Sequence, residues 1–290
     1  MVGPTLWVQL PTGRVRLTVG GQVRTIPAAQ VASGEAIEAD GDRAFVPIRV
    51  EYRDLEGTPA TAPQDPAVDP AELTRVSLVI GGASYPVPFS AADELSYLEV
   101  EQSSDDGLSL EVEFDGVPQS VDESGRRDEG ESAGLYDAST RLELLSCGEE
   151  TEDRPEGAGA APVRTCRYDL WQYPYLEGLG WASQAEPGAI WAVATAQTWL
   201  RADQVRGQGG GCRPGAMGGS ARLSLDGQQA IEELPVVANQ RAGGHGLGAR
   251  AAFLVTPSPE HDLEIVSTWG CRLGDRSQDQ AFVDRVSARP

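Results

Sequence analysis

Lysine is absent from this chain. All 23 basic residues are arginines, against 44 acidic residues, and the formal charge is −21. The missing lysine excludes a P-loop phosphate-binding lysine, a Schiff-base lysine and a Ser-x-x-Lys acylation site. The acidic balance argues against a nucleic-acid backbone or an anionic membrane as partner, because both need a positive surface. Its plainest reading is a solvated, soluble exterior. Histidine is scarce: only His245 and His261 occur. His245 sits in the glycine-rich stretch 243–248 and His261 in a turn, and neither position offers the supporting groups of a Ser-His-Asp triad. No Gly-x-Ser-x-Gly, His-Glu-x-x-His or strand-linked Gly-x-Gly-x-x-Gly pattern is present. These absences point away from an enzyme, so no catalytic residue is assigned and no cofactor is expected.

Long apolar runs are also missing. Nothing approaches the roughly 18 residues of a membrane-spanning helix, so this segment is not expected to insert into a membrane directly. The first residues have neither the charged nor the apolar region of a signal peptide. The four cysteines, Cys147, Cys166, Cys212 and Cys271, contain no Cys-x-x-Cys pair, which excludes a zinc ribbon. An even number confined to the second half favours two disulfides and an oxidising compartment. The preferred pairing is Cys147–Cys166 and Cys212–Cys271. Buried free thiols are the alternative. An extracytoplasmic location follows, secreted or anchored at the cell surface, with the export segment not present in this sequence.

What is there is strand pattern. Residues 108–115 place Leu108, Leu110, Val112 and Phe114 on one side and Ser109, Glu111, Glu113 and Asp115 on the other. That period of two marks a half-buried strand. A similar stretch returns at 260–269, and other segments of the second half echo the first. Residues 140–145 resemble 13–18, residues 190–200 occupy the place of 43–52, and 222–227 match the strand at 76–79 with its glycine turn. The run 190–200 also fits a helix, but its tryptophans and threonines favour a strand. Residues 13–19 are expected to form a hairpin with 22–26, and Pro47 marks an edge or a bulge.

The expected architecture is therefore all-β, two tandem antiparallel β-sandwich domains. The first covers 1–121 and the second, with the cysteines, 137–275. Residues 122–134 have no large apolar side chain, so 122–136 reads as an acidic linker. Residues 276–290 read as a C-terminal tail, a short helix or a frayed end.

Candidate sites are few. His261 with Glu260 and Asp262 could ligate a metal, but neighbours on a strand point to opposite faces, and no metal site is assigned. Ser104, Asp105, Asp106 and Gly107 offer oxygen ligands for Ca²⁺ without the spacing of an EF-hand loop. Aromatics are 6% of the chain and unevenly spread: Trp7 is the one tryptophan of the first half. Trp171, Tyr173, Tyr175 and Trp181 cluster in the second, with Trp191, Trp199 and Trp269 beyond them. Residues 171–181 read as a loop whose rings stack on a sugar or anchor an interface. A tryptophan-plugged core is the competing reading.

The segment 45–57, from Phe45 through Val46, Pro47, Ile48, Arg49, Val50, Glu51 and Tyr52 into an acidic turn ending at Gly57, resembles immunoglobulin-like domains of actinobacterial secreted proteins and lipoproteins, of the immunoprotective extracellular antigen type. The resemblance implies a non-enzymatic binding or structural module of the cell envelope, with a protein or glycan partner. It carries over no site residue, and the cysteine spacing departs from that of antibody domains. A carbohydrate-binding module, or a diverged carbohydrate-active enzyme using the 171–181 loop, is the alternative.

Overall fold

The computed structural model describes residues 3–54, 69–89, 95–102, 107–136, 141–144, 164–200, 206–207, 210–211, 217–233, 245–273 and 276–288. Cys147, Cys212 and the Ser104–Asp106 portion of the acidic loop lie outside them, as do the side chains of His245, Trp269 and Cys271. The chain divides into two compact units, residues 1–60 with 66–138, and residues 61–65 with 139–290. Both are built from antiparallel sheets.

In the first unit the strands are β1 (Thr5–Gln9), β2 (Gly13–Val19), β3 (Arg43–Asp54), β4 (Thr74–Ile80), β5 (Ala83–Val87), β6 (Leu95–Glu101), β7 (Leu108–Phe114), β8 (Val117–Asp122) and β9 (Arg127–Asp128). One sheet runs β1-β2-β3-β6 and the other β9-β8-β7-β4-β5. Alternation decides which residues go inward. Val15, Leu17 and Val19 of β2 are buried while Arg14 and Arg16 face out, and Leu110, Val112 and Phe114 of β7 are buried while Glu111 faces out.

The second unit contains β10 (Arg141–Leu144), β11 (Arg164–Tyr173), β12 (Ile190–Leu200), β13 (Met217–Leu225), β14 (His245–Val255), β15 (His261–Leu273) and β16 (Arg276–Ala288). One sheet runs β10-β11-β12-β14, with Glu232–Glu233 at its edge. The other runs β16-β15-β13, with Gln228–Gln229 at its edge. Tyr168, Leu170, Ala194 and Phe253 of one sheet and Leu223, Leu225, Leu263 and Ile265 of the other form a single buried cluster, so the two sheets face each other.

Strand order corresponds between the units. Each begins with three strands of the first sheet, crosses to the second for a short hairpin, returns to the first, and finishes in the second with two long strands, to which the first unit adds the short β9. On this order β7 corresponds to β15, the two similar stretches of sequence. Residues 141–144, however, take the place of β1 and not of 13–18.

Three sequence expectations are corrected. Residues 13–19 do not pair with 22–26. They pair with β1 and β3, while Thr25–Ile26 pairs with Ile37–Glu38. Residues 122–136 are not a linker. They carry β9 and a 3-10 turn with Ser132 and Leu135 buried, and they belong to the first unit. The cohesion there is polar: the Asp122 carboxylate accepts from the Ser124 N–H and hydroxyl at 3.0 and 2.5 Å and from the Arg126 N–H at 3.0 Å. Residues 276–288 are neither helix nor tail. They pair with β15 through thirteen residues, from Leu273↔Arg276 to His261↔Ala288, a ladder that outweighs their weak alternation. Pro47 sits where the ladder from β3 to β2 stops: the last pair is Val19↔Ile48, and the next bond is Gly20 N–H to the Pro47 carbonyl at 2.8 Å.

Candidate functional site

The aromatic stretch of the second unit is interior. Tyr173, Tyr175 and Trp181 are buried, at 4, 3 and 1% exposure, and Trp171 is half-buried. Residues 175–181 fold as a small ribbon, Tyr175–Leu176 against Gly180–Trp181, with the two rings edge to face at 5.4 Å. The segment lies over the outer face of its first sheet. Leu176 and Ala182 pack on Trp191 and Val193 of β12 and Ala252 of β14, and the Trp191 indole donates to the Gly180 carbonyl at 2.9 Å. Pro174 and the glycines 178 and 180 provide the turns, Gly178 and Gly180 with positive φ. The expected exposed loop is thus an apolar roof. The reason is that the outer face beneath it is itself apolar, so the rings close over it rather than face water.

Cys166 is buried beside Tyr168 and is disulfide-bonded. His261 is buried on β15. Its Nδ1 meets the Asp226 carboxylate at 2.6 Å, and its Nε2 is buried without a hydrogen bond. Glu260 and Asp262 are exposed, on the opposite side from His261, so the three do not converge. Asp226 has φ +51 in a tight Asp-Gly turn, and its other oxygen accepts from the Asp262 N–H at 2.7 Å. The pair locks the β13 turn to the start of β15. Arg250 of β14 lies on the outer face. Burial lowers its pKa, and its Nη1 makes no hydrogen bond.

Charge gathers in the first unit. Register places Gln9, Arg14 and Arg53 in one row across β1, β2 and β3. Trp7, Arg16 and Glu51 form the next row, and Thr5, Thr18 and Arg49 the third. All are outward positions. Among the described residues these three rows hold four arginines and one acid, and Arg49 has an interaction of its own. Glu51 reaches Arg16 at 3.6 Å and Arg53 at 3.8 Å, with the Arg53 side chain 76% exposed. Trp7 lies against two guanidiniums, Arg14 at 4.5 Å and Arg127 at 3.9 Å from the ring centroid. Arg127 also approaches the Tyr136 ring at 5.1 Å, and its Nε is buried without a partner.

The rim is fixed by an amide lock. The Gln119 side chain of β8 donates to the Gln9 carbonyl at 2.8 Å, and the Tyr136 hydroxyl accepts from the Gln9 N–H at 3.0 Å and donates to Gln119 Oε1 at 2.5 Å. Both outward backbone groups of Gln9 on edge strand β1 are satisfied by side chains, which blocks strand addition there. Burial pushes the Tyr136 pKa up.

Sequence reasoning missed this face. The alternation of Arg14 and Arg16 was visible, but Trp7, Arg53 and Arg127 come from three other segments. Comparison with known protein families, with curated proteins and with solved structures finds no match. Among the described residues no helix is long and apolar enough to cross a membrane.

Proposed function

We propose that this protein is a non-enzymatic, extracytoplasmic binding module made of two immunoglobulin-like sandwich domains, copies of one ancestral unit, acting at the cell envelope through an anionic partner. The observation that carries the reading is the arginine face. Arg14, Arg16, Arg49 and Arg53 share one outward sheet face with Trp7, which Arg14 overlies and Arg16 pairs with across the strands, on a chain whose net charge is −21. Surface charges are screened beyond roughly 8 Å at physiological salt, so a partner at contact meets this local field and not the net charge. Shared strand order supports the two-copy reading, and the Cys166 disulfide supports an oxidising compartment. Burial of Tyr173, Tyr175 and Trp181 weighs against the sugar-stacking alternative, and half-buried Trp171 is the one ring of that set left to it.

The reading is tested with an immobilised polyanion, dextran sulfate, at physiological ionic strength, where the net charge is screened beyond roughly 8 Å. The protein is retained despite its acidity, and charge reversal by Arg14→Glu with Arg53→Glu abolishes retention. Equal retention of the reversed variant, or none of either, refutes it.

A further inference from the structure

The outer face of the first unit's β1-β2-β3-β6 sheet has two halves. Over the start of β3 and over β6 it is roofed: Ile26, Ala39 and Phe45 form a buried cluster with Val31 and Tyr97. Over β1, β2 and the end of β3 it carries the arginines. In the second unit the corresponding sheet is roofed by Leu176, Ala182 and their neighbours. One scaffold thus uses the same face twice, once sealed with apolar side chains and once left charged.

The charged half holds an unfavourable arrangement. Arg14 and Arg53 are direct cross-strand neighbours, and like charges so placed destabilise a sheet. An anion between them removes that cost. The stacking on Trp7 matters as well. Arg14 donates its Nε–H to Gln9 Oε1 at 3.4 Å, and lying on the indole it keeps its terminal Nη edge available in plane for a carboxylate, so less rotamer freedom is lost on binding. The spacing narrows the partner. Arg14 and Arg16 alternate on β2, as do Glu51 and Arg53 on β3, so charges recur at the two-residue period of a strand, about 6.6–6.8 Å. Alternate side chains of an extended peptide have the same period.

We propose that the face formed by Trp7, Arg14, Arg16 and Arg53 docks an extended peptide segment bearing Glu or Asp at alternate positions, lying over the sheet face along the direction of β2 and not added to the sheet edge. This rests on the anion-binding reading above.

The test uses the full chain and a fluorescent peptide of about ten residues alternating Glu with Ser, read by anisotropy at about 50 mM salt. A composition-matched peptide with its glutamates contiguous and a linear uronic-acid oligosaccharide of equal charge are the comparators. The alternating peptide binds at least about fivefold tighter than either, and Arg14→Gln or Arg53→Gln weakens it about tenfold. Arg126→Gln, outside the face, changes nothing. Circular dichroism and thermal melting of each variant confirm that the fold is kept. If the oligosaccharide binds more tightly and is lost in the same variants, the peptide proposal fails while the anion-binding reading stands. If all three bind equally, or the variants bind as the parent does, the proposal fails as well.

Discussion

Arg14 of β2 faces Arg53 of β3 directly, two guanidiniums on neighbouring strands in the same outward row. Replacing Arg53 by Gln removes the like-charge opposition and leaves Glu51 its contact with Arg16. The expected result is a gain of about 0.2–1 kcal/mol in urea unfolding. A clear loss of stability means that the pair is not opposed in solution.

The Gln119–Tyr136–Gln9 lock predicts coupling. Gln119→Ala leaves a buried Gln9 carbonyl unpaired and costs about 1–3 kcal/mol. Tyr136→Phe removes the donor to Gln119 and the acceptor for Gln9. Because one cluster holds all three, the double variant loses less than the sum of the singles. Strict additivity in denaturant melts contradicts the lock.

Gly13 and Gly21 give a matched pair. A Cβ on Gly13 lies 2.5 Å from the Tyr52 ring and 2.6 Å from the Arg53 carbonyl, whereas Gly21 has nothing within 4 Å. Gly13→Ala is expected to destabilise by about 1–3 kcal/mol. Gly21→Ala is expected to be neutral or slightly stabilising. Equal melting temperatures for the two variants remove the steric account.

Tyr52 is pushed up to about 12, chiefly by burial, with the Thr12 hydroxyl opposing. The unfolded chain ionises this tyrosine near pH 10. Its contribution is therefore fully present below about pH 10 and is lost as pH rises through about 12. Ultraviolet titration should show late phenolate ionisation, part of which Tyr52→Phe deletes. Asp122 shows the opposite sign. The Ser124 hydroxyl, with the Ser124 and Arg126 N–H groups, holds its carboxyl below the ordinary value, so its contribution is present above about pH 4 and is lost as pH falls through the lowered pKa. Carbon-detected NMR of the Asp122 carboxyl follows that titration directly.

Asp226 combines a left-handed backbone with two acceptors, for His261 Nδ1 and the Asp262 N–H. Asn tolerates that conformation and still accepts, while Ala does neither. Asp226→Ala should therefore cost about 1–3 kcal/mol more than Asp226→Asn. Equal costs show that neither the left-handed turn nor the His261 and Asp262 contacts set the stability.

Much of the scaffold was legible because period-two alternation is local. The segments around Leu110, Ile48, Leu78 and Ile265 all read as strands and are strands. What failed depended on partners far along the chain. The Arg276–Ala288 strand has modest alternation and is fixed by its ladder to β15. Residues 122–136 looked unable to pack because Leu135 and Tyr136 came at the end of an otherwise polar run, and hydrogen bonds to Asp122 and Gln119 do not show as hydrophobicity. The aromatics around Trp181 read as exposed because the apolar outer face they cover, Val193 and Ala252, belongs to other strands. The arginine face was hidden for the same reason: a net charge of −21 averages over a surface whose local sign depends on sheet order.

The most direct test of the account is a titration of arginine- and tryptophan-labelled protein with the alternating Glu peptide, followed through the Arg Nε–H and indole N–H resonances. The account predicts that Arg14, Arg16, Arg53 and Trp7 shift together and saturate together. Shifts confined to arginines of the second unit, such as Arg167 or Arg250, or no saturable shift at all, would contradict it.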